Sequence, residues 1–168
     1  MDGYLFDASA LSAYMNEDHQ HHESTLKVID NIPDDALKFV SVITLGEFEY
    51  GVRSAEYAGS VHLAQYRRRL DVIRRHQPLD LTRHTSDAYG ELKARLASRV
   101  LPRASKRMPR WIEDWLLTGS AKSLQTDEND LWICAQAKER DLIVVTGDID
   151  ILNLSSVDSD LRILFTRP

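Results

Sequence analysis

Four acidic residues stand beside short hydrophobic segments that are spread over the whole chain. Three follow an apolar run and the fourth opens a helix-like stretch: Asp7, Glu47, Asp148 and, at the helix start, Asp130. In an open α/β sheet, ligands bind outside the carboxyl ends of the strands. Carboxylates gathered there repel one another, and a divalent cation such as Mg²⁺ or Mn²⁺ relieves the repulsion because hard cations take oxygen ligands. The pattern therefore predicts a metal centre at one edge of a sheet.

A centre of this kind suits the hydrolysis of phosphodiester bonds. The reaction needs an activated water molecule and stabilised charge on the attacking and leaving oxygens, and bound divalent metal supplies both. Asp7, Asp130 and Asp148 are the predicted metal ligands, and Glu47 either ligates the metal or positions the water. We predict that all four carboxylates are catalytic.

Polar neighbours of these carboxylates are expected to support them. Ser9 and Thr146 can hold water or carboxylate oxygens through hydrogen bonds. Asn129 is expected to cap the helix that Asp130 opens. Asp150 lies either in an outer contact of the metal or in a surface turn. Each acid taken singly also has a structural explanation, since acids stabilise helix N-termini and are common in turns; the combined arrangement favours chemistry.

The bulk composition is that of a globular protein without membrane segments. The chain has 168 residues, 43% hydrophobic and 28% charged, so residues 1–168 are expected to form a single domain. No apolar run approaches the length of a membrane span, and no secretory signal is evident. The single cysteine, Cys134, excludes an internal disulfide and fits a reducing cytosol. We therefore expect a cytoplasmic protein.

Charge is distributed unevenly along the chain. The net charge is −5, yet residues 61–110 hold 13 Lys and Arg residues and only 4 Asp and Glu residues. A basic middle flanked by acidic ends suits a polyanion approached from one side, although solvated helix faces explain it equally well. If the polyanion is RNA, the predicted contacts are Arg67, Arg68, Arg74, Arg75, Arg103, Lys106, Arg107 and Arg110.

Hydrophobic periodicity predicts an α/β fold. Short apolar runs alternate with segments of helical spacing, which indicates a mostly parallel central sheet of about five strands flanked by helices. The least regular part is the segment at about 101–125, which carries Trp111 and Trp115 together with proline and basic residues. Trp111 and Trp115 are predicted to share one face of a short helix, as core or as base-stacking residues.

The three histidines His19, His21 and His22 invite a comparison with zinc sites. Their spacing lacks the Cys/His pattern of structural zinc sites, and the stretch reads as a loop. A solvated loop is the favoured interpretation.

Four sequence blocks resemble those of PIN-domain ribonucleases, and bacterial toxins of the VapC type are the most similar members. The blocks run in family order and cover roughly half the chain: residues 5–11 with Asp-x-Ser, residues 41–51 with Thr-x-x-Glu and a later Gly, residues 129–135 with Asn-Asp, and residues 142–150 with Thr-x-Asp. Two departures stand out. About 25 residues separate the helix that ends near Val100 from the Asn-Asp block. In compact members of the family this connection is short. An aromatic residue often follows the last Asp in the family, where this chain has Ile151.

The resemblance implies a Mg²⁺- or Mn²⁺-dependent endoribonuclease, the toxin of a type II toxin–antitoxin pair. It further implies a homodimer, a small antitoxin that blocks the acidic site, and structured RNA such as tRNA or rRNA as substrate. Two alternatives remain open: a catalytically inactive PIN-fold module that binds RNA or protein, and a metal-dependent phosphatase. Ser9 stands where a phospho-aspartate phosphatase would have a second Asp, which weakens the latter.

Overall fold

The computed structural model describes residues 2–76, 78–101, 109–116 and 122–167. Five strands form one parallel sheet in the order β3-β2-β1-β4-β5, which confirms the predicted fold class. The strands are β1 (Gly3–Phe6), β2 (Leu37–Ser41), β3 (Pro78–Leu79), β4 (Leu142–Thr146) and β5 (Arg162–Phe165). The helices are α1 (Ala8–Tyr14), α2 (His22–Ile29), α3 (Val42–Tyr57), α4 (Leu63–Arg74), α5 (Arg83–Val100), α6 (Glu128–Glu139) and α7 (Ile149–Leu154), with a 3-10 helix at Ile112–Asp114.

The direction of chain progression reverses at β1. Strands β2 and β3 are added on one side of β1, whereas β4 and β5 are added on the other. Such a switch point leaves a crevice outside the carboxyl ends of the two strands that flank it, here β1 and β4. Asp7 directly follows β1, and Asp148 lies two residues beyond β4.

Alternation along the strands builds a core on each face of the sheet. Leu5 is paired with Val144, and both belong to the larger core, which also contains Leu131 of α6. The next pair, Phe6 and Val145, belongs to the smaller core on the opposite face. Successive strand residues point to opposite faces, so each buried strand supports helices on both sides.

Close packing at the sheet centre explains one glycine. A Cβ on Gly3 would lie 2.5 Å from Cδ2 of Leu142, its partner on β4. A side chain there would force the Leu142 side chain to move, in the layer that packs between the two strands that flank the switch point.

Two local details differ from the sequence prediction. Helix α7 was not anticipated, because its six residues are too few to show helical periodicity; Ile151 and Leu154 nevertheless bury their side chains completely or nearly so. The two tryptophans do not share a face: Trp115 is 2% exposed and Trp111 is 51% exposed. The predicted end of that helix near residues 118–119 lies outside the described residues.

Candidate metal and phosphodiester site

Asp7 occupies the centre of the crevice. It caps α1, and its Oδ1 accepts a hydrogen bond from the Ala10 backbone N–H at 2.8 Å. Its Oδ2 accepts one from the Thr146 hydroxyl at 2.7 Å, and Ser9 donates to both oxygens at 2.9 and 3.1 Å. Asp7 is only 3% exposed. These contacts orient Asp7 rigidly at the end of β1.

Two hydroxyl groups attach the turn after β4 to Asp7. Thr146 accepts the backbone N–H of Asp148 at 2.8 Å while it donates to Asp7. Ser9 likewise accepts the N–H of Gly147 at 2.9 Å while it donates to Asp7. The turn that carries Asp148 is thus positioned by the same side chains that hold Asp7.

Asn129 contacts Glu47 and does not cap α6, so the cap assignment from the sequence is wrong. The cap is Asp127, two residues earlier, because helix α6 begins at Glu128. The side-chain amide of Asn129 donates to Glu47 Oε1 at 3.0 Å. This contact joins α3 to the first turn of α6 and turns the Glu47 carboxylate toward the residues that follow β1.

Asp130 takes part in a reciprocal cap at the start of α6. Its Oδ2 accepts the backbone N–H of Asp127 at 3.0 Å, and Asp127 Oδ1 accepts the N–H of Asp130 at 2.9 Å. Gln136 on the same helix donates to the carbonyls of Leu79 and Asp80 at 2.9 and 3.1 Å, which ties α6 to β3. Helix α6 therefore carries Asp130 on a well-anchored frame.

The carboxyl groups are short of compensating positive charge. Desolvation raises the pKa of Asp7 to about 6, against hydrogen bonds from Ala10, Thr146 and Ser9 that lower it. Desolvation also raises the pKa of Asp130 to about 8, with repulsion from Asp127, Asp148 and Asp7 adding to it. The pKa of Glu47 is raised for the same main reason, with Asp127 and Asp7 as repelling neighbours.

Asp150 belongs to the rim of this cluster. Its backbone N–H donates to Asp148 Oδ1 at 2.8 Å. Burial, followed by repulsion from Asp148, raises the pKa of Asp150. Asp150 therefore shares the electrostatic field of the cluster and also helps to shape the turn after β4.

The donor set suits a hard divalent cation. Oxygen ligands are what Mg²⁺ and Mn²⁺ prefer, and a cation would stabilise the ionised forms that burial, and secondarily repulsion between acids, disfavours at Asp7 and Asp130. Within the described part of the chain, no three His, Cys, Asp or Glu side chains stand together as a formed metal site. Side-chain rearrangement is therefore required to bring Asp7, Asp130 and Asp148 onto one ion.

The predicted basic contacts divide into three groups. Arg67 and Arg74 form ion pairs with Glu56 and Glu49 that hold α4 against α3. Arg68, Arg75 and Arg110 are exposed. Arg103, Lys106 and Arg107 lie outside the described residues. Helix packing thus competes with an RNA role at two of the eight positions.

Two arginines beside the acidic cluster, Arg69 and Arg167, are not among the eight contacts named from the sequence. Arg69 lines a cavity of ≈ 150 Å³ together with Glu47, and its buried Nε has no hydrogen-bond partner among the described residues. A Cβ placed on Gly147 would lie 3.1 Å from Arg167 Nε. Desolvation, and then neighbouring cationic groups that include Arg167 and Arg69, lower the pKa of His19.

The remaining candidates have structural roles. His22 makes a hydrogen bond of 2.9 Å with the carbonyl of Ala13, and the described histidines belong to no metal-binding group. Cys134 is completely buried, and burial raises the pKa of its thiol well above the ordinary value. Trp132 stacks on Tyr89, with ring centroids 3.9 Å apart and an interplanar angle of 8°.

No helix in the described ranges has the length and apolar character to span a membrane.

Comparison with known proteins identifies the family. The family model of the PIN domain matches residues 4–157, so the chain belongs to the PIN domain family. No curated protein matches the chain in sequence.

Solved structures of VapBC complexes share the fold. VapBC2 from Rickettsia felis, bound to a DNA fragment from its promoter, gives a TM-score of 0.62 at 18% identity over 96% of this chain and 97% of that chain. VapBC-5 from Mycobacterium tuberculosis, a member of the VapBC family of toxin–antitoxin systems, gives 0.61 at 22% identity over 100% of both chains. VapBC-1 from nontypeable Haemophilus influenzae gives 0.61 at 16% identity over 96% of both chains. At these identities the likeness establishes the fold alone.

Proposed function

We propose that this PIN-domain protein is a Mg²⁺- or Mn²⁺-dependent endoribonuclease. The observation that supports the proposal is the electrostatic coupling of Asp7, Glu47, Asp130 and Asp148 beside the switch point between β1 and β4, where burial, and then repulsion from neighbouring acids, raises the pKa values of Asp7, Glu47 and Asp130. Uncompensated carboxylates are costly to a fold unless a cation joins them. A cation at this edge would in turn attract a phosphodiester.

The residues divide the chemistry between them. Asp7, Asp130 and Asp148 would hold the metal, which when bound stabilises charge on the phosphoryl oxygens and promotes ionisation of water. Glu47, oriented by Asn129, accepts a proton from the attacking water, a role favoured by its raised pKa. The new bond joins the water oxygen to phosphorus, the bond to the leaving ribose oxygen breaks, and that oxygen takes up a proton from solvent.

The two arginines near the cluster supply phosphate contacts. Arg69 and Arg167 flank the carboxylates from α4 and from the segment after β5. Guanidinium groups form paired hydrogen bonds with phosphate oxygens, which position the backbone without reading its sequence. RNA, with structured species such as tRNA or rRNA as leading candidates, is therefore the proposed substrate.

The biological role that fits this activity is that of a toxin in a toxin–antitoxin pair. The support is the shared fold with proteins of VapBC complexes. The proposal includes a cognate antitoxin that blocks the acidic cluster, a homodimer, a cytoplasmic location and a single domain over residues 1–168. A search of the gene's neighbourhood for a small open reading frame, then co-expression with it and size-exclusion chromatography with light scattering, tests both the partner and the dimer.

The direct test is cleavage of total RNA by the purified protein. We expect discrete fragments with Mg²⁺ or Mn²⁺ and none with EDTA, and end mapping of the fragments identifies the target. Absence of cleavage with every metal tested, from folded and antitoxin-free protein, would reject the nuclease and favour an inactive binding module. Turnover of a small phosphoester but not of RNA would instead favour a phosphatase.

Loss of the Thr146 hydroxyl is expected to slow cleavage. The substitution Thr146→Val removes the hydrogen bond to Asp7 and the acceptor for the Asp148 N–H. Removal of such supporting contacts around a metal typically costs about 10- to 100-fold in activity or metal affinity. Cleavage rates measured over a Mg²⁺ titration detect it. The matched control is Thr25→Val, another fully buried threonine, outside the acidic cluster; equal losses in both variants would argue against a positioning role for Thr146.

Substitution of Arg69 is expected to weaken RNA binding more than substitution of Arg67 on the same helix. Arg69 adjoins Glu47, whereas Arg67 is half exposed and pairs with Glu56. One lost phosphate contact lowers the slope of log K against log salt by about one. Fluorescence anisotropy of a labelled RNA, with Arg69→Gln and Arg67→Gln at several salt concentrations, measures the slopes. Identical slopes for the two variants would show that Arg69 does not contact an RNA phosphate.

A further inference from the structure

We propose that Arg110 and Trp111 form a platform on which a nucleobase of the bound RNA stacks beside the acidic cluster. The inference rests on the proposed nuclease function and specifies how its substrate is held. The pair lies in the segment that lengthens this chain between α5 and α6, away from the four blocks that carry the chemistry.

The platform stands on buried anchors. Ile112 is completely buried and Trp115 is 2% exposed, and both belong to the larger core. The Trp115 indole N–H donates to the carbonyl of Pro109 at 3.0 Å, which closes the backbone into a compact arc around residues 110 and 111. Trp111 therefore projects from a fixed support.

Hydrogen bonds connect this support to the first turn of α6. Glu128 Oε1 accepts the backbone N–H of Ile112 at 3.0 Å, and the N–H of Glu128 donates to Glu113 Oε1 at 3.2 Å. Lys93 pairs with Glu128 and donates to the carbonyl of Arg110 at 2.9 Å. Glu128 opens the helix that carries Asp130 two residues later. Trp111 is thus linked to Asp130 through the backbone of Ile112, the Glu128 side chain and the first turn of α6.

The chemistry of the pair matches a nucleotide. The Arg110 guanidinium carbon lies 4.8 Å from the centroid of the Trp111 ring, and Trp111 is 51% exposed. An indole stacks on any base, and an adjacent arginine contributes both a positive charge and cation–π attraction. Arg110 has no ion pair within the described ranges, in contrast to Arg67 and Arg74, so its charge is available to a phosphate.

The other aromatic residues show why Trp111 is selected. Trp115 is buried, and Trp132 is occupied by its stack on Tyr89. Tyr57 is 95% exposed, but no arginine is stacked on it among the described residues. Tyr66 does have an arginine near its ring, since the Arg69 guanidinium carbon lies 5.8 Å from the centroid, but Tyr66 is only 38% exposed and its ring is smaller than an indole. A single-stranded RNA that crosses the crevice would contact the platform of Arg110 and Trp111 on the α6 side and Arg69 on the α4 side.

The test measures binding of a short single-stranded RNA to protein that cannot cleave it. Asp7→Asn serves as the parent, and Trp111→Ala, Trp111→Phe and Tyr57→Ala are added to it. Stacking on one base predicts that Trp111→Ala raises Kd about tenfold, that phenylalanine recovers part of the affinity, and that Tyr57→Ala changes nothing. With an RNA of the same length that lacks bases, the effect of Trp111→Ala should disappear.

The outcomes separate the platform from the nuclease. If the unmodified protein cleaves RNA but Trp111→Ala leaves Kd and KM unchanged, the platform is wrong and the nuclease stands. If no cleavage occurs yet Trp111→Ala weakens base-dependent binding, the nuclease is wrong and the platform stands. If Trp111→Ala binds RNA normally but disrupts self-association or antitoxin binding, the surface is a protein interface and the platform is rejected.

Discussion

Replacing Asp7 by asparagine is expected to reduce RNA cleavage by at least about 1,000-fold with the fold preserved. The amide oxygen of asparagine can still accept the Ala10 N–H and cap α1, so the local backbone is retained. What is lost is the negative charge nearest to the switch point, and a metal held by one carboxylate fewer stabilises the phosphoryl charge less, an effect of several kcal/mol.

Single-turnover cleavage of a defined RNA, together with circular dichroism, measures both parts of this prediction. The matched control is Asp87→Asn, the same chemical change at an exposed position on α5. It should cleave at the parental rate. An Asp7→Asn protein that cuts RNA as fast as the parent would show that the catalytic centre lies elsewhere.

The second large effect is a loss of stability of the metal-free protein as the pH rises from 4 to 8. Asp7 and Asp130 have folded-state pKa values of about 6 and about 8, above the ordinary value of 3.8. The native state therefore binds more protons than the unfolded state across this window, and unfolding becomes easier with each proton released. The cost at pH 8 is on the order of a few kcal/mol, or a fall in Tm of about 10 °C.

Asp130→Asn should remove most of this pH dependence. The amide oxygen retains the acceptor for the Asp127 N–H, while the buried charge is gone. Differential scanning calorimetry in EDTA at pH 5 and pH 8 compares the variant with the parent, and the difference between them isolates Asp130 from other titrating groups. A parent protein as stable at pH 8 as at pH 5 would contradict the assignment.

Metal binding should restore the stability that the metal-free protein loses at high pH. A cation that binds the native state alone stabilises it by mass action. We expect Mg²⁺ or Mn²⁺ to raise the Tm of the parent at pH 8 and to have a much smaller effect on Asp130→Asn. Equal shifts in both proteins would show that the ion binds at another site.

The sequence by itself determined the alternating architecture and the place of two carboxylates. The runs before Asp7 and Asp148 are short, apolar and buried, and a parallel sheet must bring their carboxyl ends to one edge. Glu47 and Asp130 lie early on their helices, α3 and α6, and the apolar runs next to them in the sequence marked both positions. These features depend on residues close in the chain.

Only the tertiary structure decided which distant residues meet. The sequence predicts that Asn129 caps a helix, whereas in the structure its side-chain amide donates to Glu47, 82 positions away. From the sequence, Arg67 is expected to be a free cation, whereas in the structure it forms an ion pair with Glu56 of α3. Arg69 is one arginine among three in a row, and the packing of α4 beside Glu47 is what distinguishes it. Such pairings follow from how the helices pack against the sheet and against one another. Local periodicity in the sequence carries no information about which distant residue a side chain will contact.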